Sequence, residues 1–302
     1  MAFEKMSSFQ QAETKGALYL VPTPIGNLED MTIRAVKVLQ EVDLIAAEDT
    51  RNTQKLLNHF EIKTPQISFH EHNTQERIPI LLRKLQDGQK IAQVSDAGMP
   101  SISDPGHELV VASLAQKIPV IPLPGPNAGL TALIASGIAP QPFLFVGFLA
   151  REKKEKEAQL EALSKKTETV ILYEAPHRLK KTLKALAASF GGKRQIVLCR
   201  ELTKKFEEFL RGTLDEALAW AESEQIRGEF CLIIAGNQQV QQPASPESIL
   251  PLADQVELLI ATQGYKPNEA IKTVAKKNGL KRQSVYNSFH HIEAEQGGQA
   301  RD

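Results

Sequence analysis

Residues 90–106 read KIAQVSDAGMPSISDPG, an apolar run that passes directly into a stretch of small and polar residues. The run has the length of a buried β-strand, and the stretch after it has the composition of a loop. Four similar apolar runs lie between residues 17 and 122, and amphipathic segments separate them. Strands that alternate with helical segments predict βαβ units, and hence a mainly parallel sheet covered on both faces.

The segments between these runs have the spacing of amphipathic helices. We predict helices at residues 32–40, 50–60, 74–87, 105–116 and 127–136. Open α/β sheets bind ligands outside the carboxyl ends of their strands, where the loop at 95–106 and the turn at 124–127 both lie. We expect the two loops to form one crevice that suits a nucleoside-sized ligand, although small residues also suit tight turns without a ligand.

The second half of the chain has a different pattern. Apolar runs alternate with predicted helices at 151–164, after Pro176 and at 215–223, in the order β-α-β-α-β-β-α-β. Two of these runs are joined by a short turn, which indicates a mixed sheet. The predicted fold class is α/β, with two α/β domains and a small C-terminal helical module. The predicted parts are a disordered N-terminus (1–15), the α/β domains (16–139 and 140–236), a linker (237–249), the helical module (250–292) and a disordered tail (293–302).

Composition excludes several classes of protein. The 302 residues include 36 Lys and Arg against 36 Asp and Glu, so no global charge draws the chain to nucleic acid or membrane. A 42% hydrophobic content excludes collagen-like and disordered chains. The polar N-terminus and the lack of an apolar run of about 18 residues predict a soluble cytoplasmic protein. Cys199 and Cys231 lie in apolar runs and are predicted to be buried free thiols, with a disulfide as the alternative.

Two motifs narrow the chemistry. The turn at 22–30 (PTPIGNLED) contains neither G-x-G-x-x-G nor a P-loop, which argues against NAD enzymes and P-loop NTPases. The turn is either a ligand-facing loop or a simple turn in which Asn27 or Asp30 caps the next helix. His70 and His72 have the spacing of two ligands on one strand, but no third ligand follows at a suitable distance, so we predict no metal.

Six motifs follow one another between residues 17 and 236: TPIGNLEDMTIRA, AAEDTR, VSDAGMPSISDPG, PLPGPNA, LYEAPHR and RELTKKFEEFLRG. In this order they resemble the tetrapyrrole methylase superfamily, and within it the bacterial 16S rRNA cytidine 2′-O-methyltransferases. The resemblance implies S-adenosylmethionine as methyl donor, bound in a cleft between two α/β domains of a homodimer. It also implies methylation of a decoding-centre cytidine ribose of 16S rRNA, in the assembled small ribosomal subunit.

The resemblance also implies a set of cofactor-binding positions. Most of them lie in the loop after the fourth predicted strand, and the others lie in the PLPGPNA, LYEAPHR and RELTKK motifs. They are Asp96, Ala97, Gly98, Pro100, Ser101, Ile102, Pro124, Gly125, Glu174 and Leu202.

Methyl transfer to a ribose oxygen needs alignment and a base or cation near the hydroxyl. Three clusters at strand ends compete for this role: residues 48–51, 174–178 and 200–204. From the residues alone, a structural role explains each cluster equally well: a helix cap for the first, a helix start for the second and a surface ion pair for the third. Our hypothesis is that Asp49 or Glu201 is the base and that Arg51, His177 and Arg178 hold phosphate or ribose.

Positive charge is local. Residues 264–291 contain six Lys or Arg against one Glu, on short helices typical of a helix-turn-helix-type module. A solvated face or a dimer contact explains this charge equally well. The predicted RNA-binding residues are Asn27, Arg178, Lys204, Lys276, Lys277, Lys281 and Arg282.

Two alternative functions remain open from the sequence. One is a methylase of the same fold that acts on a small molecule or a diphthine-type acceptor. The other is a non-catalytic RNA-binding protein, which would bind RNA without consuming S-adenosylmethionine.

Overall fold

A computed structural model describes residue 7 and residues 16–238, 250–278 and 280–290, without the side chains of Gln263 and Lys277. The predicted disordered ends and most of the predicted linker lie outside the described residues. One compact unit ends at Asn237 and a second begins at Gln238. The predicted boundary at residue 139 therefore falls inside the first unit. Within the described ranges, no helix is long and apolar enough to cross a membrane.

The first sheet is parallel, as predicted. Its strands are β1 (Ala17–Leu20), β2 (Leu44–Ala47), β3 (Gln66–Ser68), β4 (Lys90–Val94) and β5 (Val120–Pro122). They lie in the order β3-β2-β4-β1-β5, and every neighbouring pair is parallel. Because β1 lies between β4 and β5, the turn after β1 separates the two loops that were expected to lie side by side.

Helices cover both faces of this sheet, which confirms the prediction. They are α1 (Ile33–Glu41), α2 (Thr50–His59), α3 (Thr74–Gln86), α4 (His107–Ala115) and α5 (Ala128–Ser136). The first two helices pack against one face, and Leu39 and Leu57 are buried there. The next two pack against the other face, where Leu81 and Leu109 are buried. The helix α5 leaves this sheet and packs elsewhere.

The second sheet is mixed, also as predicted. Its strands are β6 (Phe143–Gly147), β7 (Thr169–Glu174), β8 (Gln195–Arg200), β9 (Glu208–Thr213) and β10 (Phe230–Ile234). They lie in the order β6-β7-β10-β8-β9, in which β6 and β7 are parallel and the other pairs are antiparallel. Phe206 lies in the turn before β9 and is 68% exposed.

Side chains of the second sheet alternate between two hydrophobic clusters. One face packs against α6 (Lys153–Ser164), α7 (Pro176–Phe190) and α8 (Leu214–Ser223). The opposite face carries Ile171, Val197 and Ile233, which pack against Ala132 and Leu133 of α5. The last helix of the first half therefore covers the face that the second half leaves open. This contact brings the loops of the first sheet to the second sheet.

The described residues of the second unit form three short helices, in agreement with the predicted helical module. They are α9 (Leu252–Gln263), α10 (Pro267–Lys277) and α11 (Arg282–Phe289). Val256, Ile271, Val274 and Val285 form their shared core. Gly264 ends α9 in the left-handed conformation with φ 69°, which suits a glycine. The second predicted helix stop, Gly279, lies outside the described residues.

A buried glutamine fixes the loop after β4. The side-chain nitrogen of Gln93 donates to the Pro105 carbonyl at 2.8 Å and lies 3.3 Å from the Ser101 hydroxyl oxygen. Gly106 follows with φ 137°, and a Cβ atom there would collide with this same amide. Only glycine therefore lets the loop close over Gln93.

We expect Gly106→Ala to lower the free energy of unfolding by about 3 kcal/mol or more, because it combines backbone strain with a steric clash. Gly137→Ala is the matched control. Gly137 also has a positive φ, 79°, but a Cβ atom there would meet nothing within 4 Å. The control should lose only about 1 kcal/mol. Equal losses in urea denaturation would contradict this account of the loop.

Candidate functional site

A cavity of ≈ 290 Å³ lies where loops of the first sheet meet the second sheet. The loop after β4 supplies one wall, and the ends of β7 and β8 supply the opposite wall. Its lining includes Ala97, Gly98, Ser103, Asp104, Tyr173, Glu174, Glu201 and Leu202. The cavity is at the carboxyl end of a parallel sheet, which is where such folds bind ligands.

Three loops of the first sheet brace one another beside this cavity. The Thr23 and Gly98 backbones exchange two hydrogen bonds, each of 3.0 Å, and the Thr23 hydroxyl donates to the Ser95 carbonyl. A Cβ atom on Gly125 would lie 2.6 Å from Pro22. The turn after β1 is therefore the middle member of the three, and the predicted crevice of two loops is corrected to a set of three.

The same turn contacts the second sheet. The Asn27 backbone donates to the Thr203 hydroxyl at 3.0 Å, and a Cβ atom on Gly26 would lie 2.5 Å from Lys204 Cγ. The Asn27 side chain accepts from the Glu29 backbone and caps a short 3₁₀ turn. Thr32, rather than Asn27 or Asp30, caps α1, because this extra turn delays the start of the helix.

A charged pair lines the cavity where β8 ends. Glu201 has φ 49° and its Oε1 atom accepts from the Glu229 backbone at 2.9 Å and from Lys204 Nζ at 3.1 Å. Burial raises the pKa of the Glu201 carboxyl. The hydrogen bonds from the Glu229 backbone and from Lys204 together have the larger effect and lower the pKa below its ordinary value. Burial lowers the pKa of Lys204, but the carboxylates of Glu201 and Glu229 raise it above its ordinary value. Both groups are therefore charged near neutral pH.

Two carboxyl groups near the loop after β4, those of Asp104 and Glu48, have pKa values above their ordinary values. Burial raises the pKa of Asp104, with a smaller contribution from Asp96, and the Ser95 hydroxyl partly offsets it. Burial also raises the pKa of Glu48, and the nearby carboxylates add to that effect. Asp104 lines the cavity, and no cation lies within ion-pair distance of it among the residues that the structure describes. Its carboxylate would attract a cationic part of a ligand.

Asp96 connects α2 to the loop after β4. Its carboxylate accepts from the Asp49 backbone at 3.2 Å and from the Asn52 side chain at 2.9 Å. Its own backbone N–H donates to Glu48 at 3.2 Å. Asp96 therefore positions neighbouring backbone and does not line the cavity itself.

Asp49 and Arg51 form an ion pair at the start of α2. Their side chains meet at 2.6 Å, and the Arg51 backbone also donates to Asp49 at 2.8 Å. These bonds to Arg51 lower the pKa of Asp49 to about 2. Such a carboxylate is a weak proton acceptor. Neither residue lines the cavity.

Glu174 is the buried centre of a second polar network. Its carboxylate accepts from the Thr182 hydroxyl at 2.6 Å and pairs with Arg178 Nε at 3.2 Å. The Arg178 guanidinium also donates to the Leu149 carbonyl at 3.1 Å. Arg178 thus neutralises a carboxylate that is only 1% exposed, and its predicted contact with RNA remains untested.

The structure brings some predicted site residues together and leaves others apart. The cavity lining includes seven of them: Ala97, Gly98, Ile102, Glu174, Glu201, Leu202 and Lys204. The lining does not include Asn27, Asp49, Arg51, Asp96, Pro100, Ser101, Pro124, Gly125, His177 or Arg178. Lys276, Lys281 and Arg282 are exposed on the second unit, and the Lys277 side chain lies outside the described atoms.

Sequence reasoning missed an aromatic and thiol wall. The Tyr173 hydroxyl accepts from the Gly129 backbone at 3.0 Å, and the Phe148 ring lies edge-on to Tyr173 with centroids 5.8 Å apart. Alternation along β7 places Tyr173 on the same face as Ile171, so the sequence pattern predicts a core residue at position 173. Cys199 and Cys231 also line the cavity and are buried free thiols, as predicted. Burial raises the pKa of Cys199 to about 12 and also raises that of Cys231, so both thiols are unreactive.

His70 and His72 lie in a 3₁₀ turn after β3, with ring centroids 6.1 Å apart. Among the described residues, no three His, Cys, Asp or Glu side chains group as metal ligands would.

The site therefore combines small residues, aromatic rings, a carboxylate without a cation partner and a charged pair. The model of the tetrapyrrole (corrin/porphyrin) methylases matches residues 17–218 of this chain. The chain belongs to this family. Ribosomal RNA small subunit methyltransferase I from Bacillus subtilis is 52% identical, over 95% of this chain and 98% of its own. The protein of that name from Synechocystis is 50% identical, over 93% of this chain and 99% of its own length.

Solved structures of the family share the fold. Cobalt precorrin-4 methyltransferase superposes with a TM-score of 0.57 at 18% identity, over 76% of this chain and 98% of its own. A uroporphyrin-III C-methyltransferase from Thermus thermophilus, complexed with S-adenosylhomocysteine, superposes with a TM-score of 0.54 at 19% identity. The superposition covers 73% of this chain and 97% of that enzyme. The tetrapyrrole-methylase type of α/β fold expected from the sequence is thereby confirmed.

We expect Glu48→Gln to raise the melting temperature at pH 8, by no more than about 2 to 4 °C. The raised pKa of Glu48 means that folding disfavours its ionised form, and glutamine keeps an acceptor for the Asp96 backbone. As pH falls through this pKa, the wild-type carboxyl takes up its proton and the gain disappears.

Melting curves from pH 8 to pH 4 test this prediction. Glu41→Gln on the exposed face of α1 is the control, because it removes the same charge outside this cluster. A gain that persists at low pH, or one that the control reproduces, would contradict it.

Proposed function

We propose that the protein transfers a methyl group from S-adenosylmethionine to the ribose 2′-hydroxyl of a decoding-centre cytidine in 16S rRNA. We place this reaction in the cytoplasm, on the assembled small ribosomal subunit. The observation that carries the proposal is the cavity, which joins the loop after β4 to the charged pair after β8. Relatives 50% to 52% identical to this chain are named for methylation of small-subunit ribosomal RNA, which supports the choice of substrate.

S-adenosylmethionine, when bound, supplies a methyl group on a sulfonium, already activated for direct displacement. The cavity fits this cofactor in three respects. Ala97 and Gly98 let a nucleoside approach the backbone closely. Asp104 offers a carboxylate to a cationic group, and Tyr173 and Phe148 offer apolar surface.

The charged pair Glu201–Lys204 supplies the acid–base chemistry in this proposal. The ribose hydroxyl would give its proton to Glu201, the candidate base that lines the cavity, as its oxygen bonds to the methyl carbon. The bond from that carbon to the sulfonium sulfur would break in the same step, and S-adenosylhomocysteine would leave. The Lys204 ammonium beside Glu201 stabilises the negative charge that develops on the ribose oxygen. Asp49 is the weaker candidate, because it does not line the cavity, and its bond to Arg51 lowers its pKa to about 2.

Arg51, His177 and the basic module hold RNA in this proposal. The Arg51 side chain is 87% exposed although it pairs with Asp49, and His177 is exposed in the first turn of α7. In the second unit, Lys276, Lys281 and Arg282 are exposed. Contacts of these groups with phosphates would raise affinity without reading sequence.

The proposed active form is a homodimer. Leu130 and Ile134 lie four residues apart on α5 and are 46% and 80% exposed. Exposed apolar side chains of this size on one helix face are typical of surfaces that a second copy covers.

Labelled S-adenosylmethionine tests the proposal. The acceptors are small subunits that lack their native methylations, naked 16S rRNA and a tRNA control, with the modified nucleotide mapped. We expect label on a cytidine ribose of the small subunit. Measurable cofactor binding without label on any RNA would discard the ribosomal assignment and favour a small-molecule or diphthine-type acceptor. RNA binding without cofactor binding would favour a non-catalytic protein.

Two isosteric substitutions separate the candidate bases. Glu201→Gln keeps an acceptor for the Glu229 backbone but cannot take a proton, so we expect kcat to fall by about 10² to 10⁴-fold with unchanged cofactor affinity. Asp49→Asn should mainly raise KM for the subunit, because it loosens Arg51. A Glu201→Gln enzyme with wild-type kcat would exclude Glu201 as the base.

A further inference from the structure

Helix α2 carries a row of cationic side chains of which the proposed chemistry uses only the first. Its sequence, TRNTQKLLNH, contains no Asp or Glu. Arg51, Lys55 and His59 are spaced by four residues, so they share one face of the helix, and all three are exposed. Lys63, also exposed, follows the turn that ends the helix. We call these four residues the α2 row.

A polar groove lies beside the two ends of this row, Arg51 and Lys63. It has a volume of ≈ 570 Å³ and lies between α2 and the segment that leads into β3. Its lining includes Arg51, Lys63 and Thr64. Gln66 donates to Gln54 at 2.7 Å across it. Two cations together with hydroxyl and amide groups are the chemistry that binds phosphate.

The lysines of the α2 row are not neutralised by the protein. Among the described residues, no carboxylate lies within ion-pair distance of Lys55 or Lys63. Four lysines elsewhere, Lys37, Lys153, Lys165 and Lys204, form ion pairs among the described residues. The row therefore keeps positive charge that the neutral composition of the whole chain does not reveal.

The row begins beside the proposed cofactor site. The Asp49 backbone and the Asn52 side chain both donate to Asp96, the residue directly before the cavity-lining Ala97. From Arg51 to His59 the row extends about 12 Å along the helix, at a rise of about 1.5 Å per residue. A strand held along α2 would therefore lead to the cavity.

We propose that the α2 row and its groove bind the phosphate backbone of the RNA strand that flanks the methylated nucleotide. This inference rests on the proposed function, in which the cavity selects the nucleotide. The cationic groups are about 6 Å apart along the helix, a spacing that suits successive phosphates of an extended strand. Such contacts position the RNA, add affinity and are weakened by salt.

The test compares two double variants of the full chain. Lys55→Gln with Lys63→Gln removes two charges from the α2 row. Lys90→Gln with Lys117→Gln removes two exposed charges at the amino ends of β4 and β5, the opposite edge of the same sheet. Both variants change net charge equally. The measurements are KM and kcat on small subunits, cofactor affinity, and binding of 16S rRNA as a function of KCl concentration.

For the α2 variant we expect KM to rise about 10-fold, with kcat and cofactor affinity unchanged. The slope of log affinity against log salt should become shallower by about 1 to 1.5, since each contact with single-stranded RNA contributes about 0.7. The control should match the wild type. A wild-type salt slope in the α2 variant, or equal losses in the control, would overturn the proposal.

Failure of the proposed function gives a different result. If the wild-type protein methylates no RNA, the ribosomal assignment fails, but the salt slopes still report on the groove. A shallower slope in the α2 variant alone would then support an RNA-binding surface there, and equal slopes would overturn it.

Discussion

The contact between helix α5 and the second sheet is the constraint on which the site depends. Gly129 brings α5 close to that sheet, since a Cβ atom there would lie 3.3 Å from the Phe145 ring. Arg211 reaches from β9 to the last carbonyls of α5, with 2.6 Å to Ala135 and 3.3 Å to Ser136. A cation at a helix C-terminus is favourable, so this bond fixes the far end of α5. Because α5 follows directly after the turn at 124–127, its position determines where the three loops of the first sheet meet β7 and β8.

The two sides of the cavity have different electrostatic character. The side formed by the loop after β4 includes Asp104, whose pKa is raised by burial and, to a smaller extent, by Asp96. The side formed after β8 has a carboxylate and an ammonium that stabilise each other's charge. The first side suits a cationic cofactor, and the second suits an oxygen that loses a proton. This division follows the two halves of the fold.

Much of the fold follows from the sequence because hydrophobic periodicity is a local property. The five helices of the first half lie within two residues of their predicted bounds. The mixed second sheet follows from the short turn between β8 and β9. Strand order was not predictable in this way, because β1 lies between β4 and β5 through contacts distant in sequence. The three-loop arrangement at the cavity was missed for that reason.

The site was only partly predictable for a related reason. The motif at 95–106 pointed to Ala97 and Gly98, whereas Tyr173 and Cys199 lie on strands whose alternation is typical of ordinary core. Arg178 was assigned to RNA from its charge and from the LYEAPHR motif, and the structure pairs it with Glu174 at the end of β7. That pairing depends on how the turn between β7 and α7 folds. Helix α2 itself contains no Asp or Glu.

A crystal structure of the protein with S-adenosylhomocysteine tests the central claim most directly. The account predicts the ligand in the cavity between the two sheets, with its nucleoside against the Ala97–Gly98 backbone and its amino-acid end near Asp104. A ligand bound at any other place, with this cavity left to solvent, would contradict it.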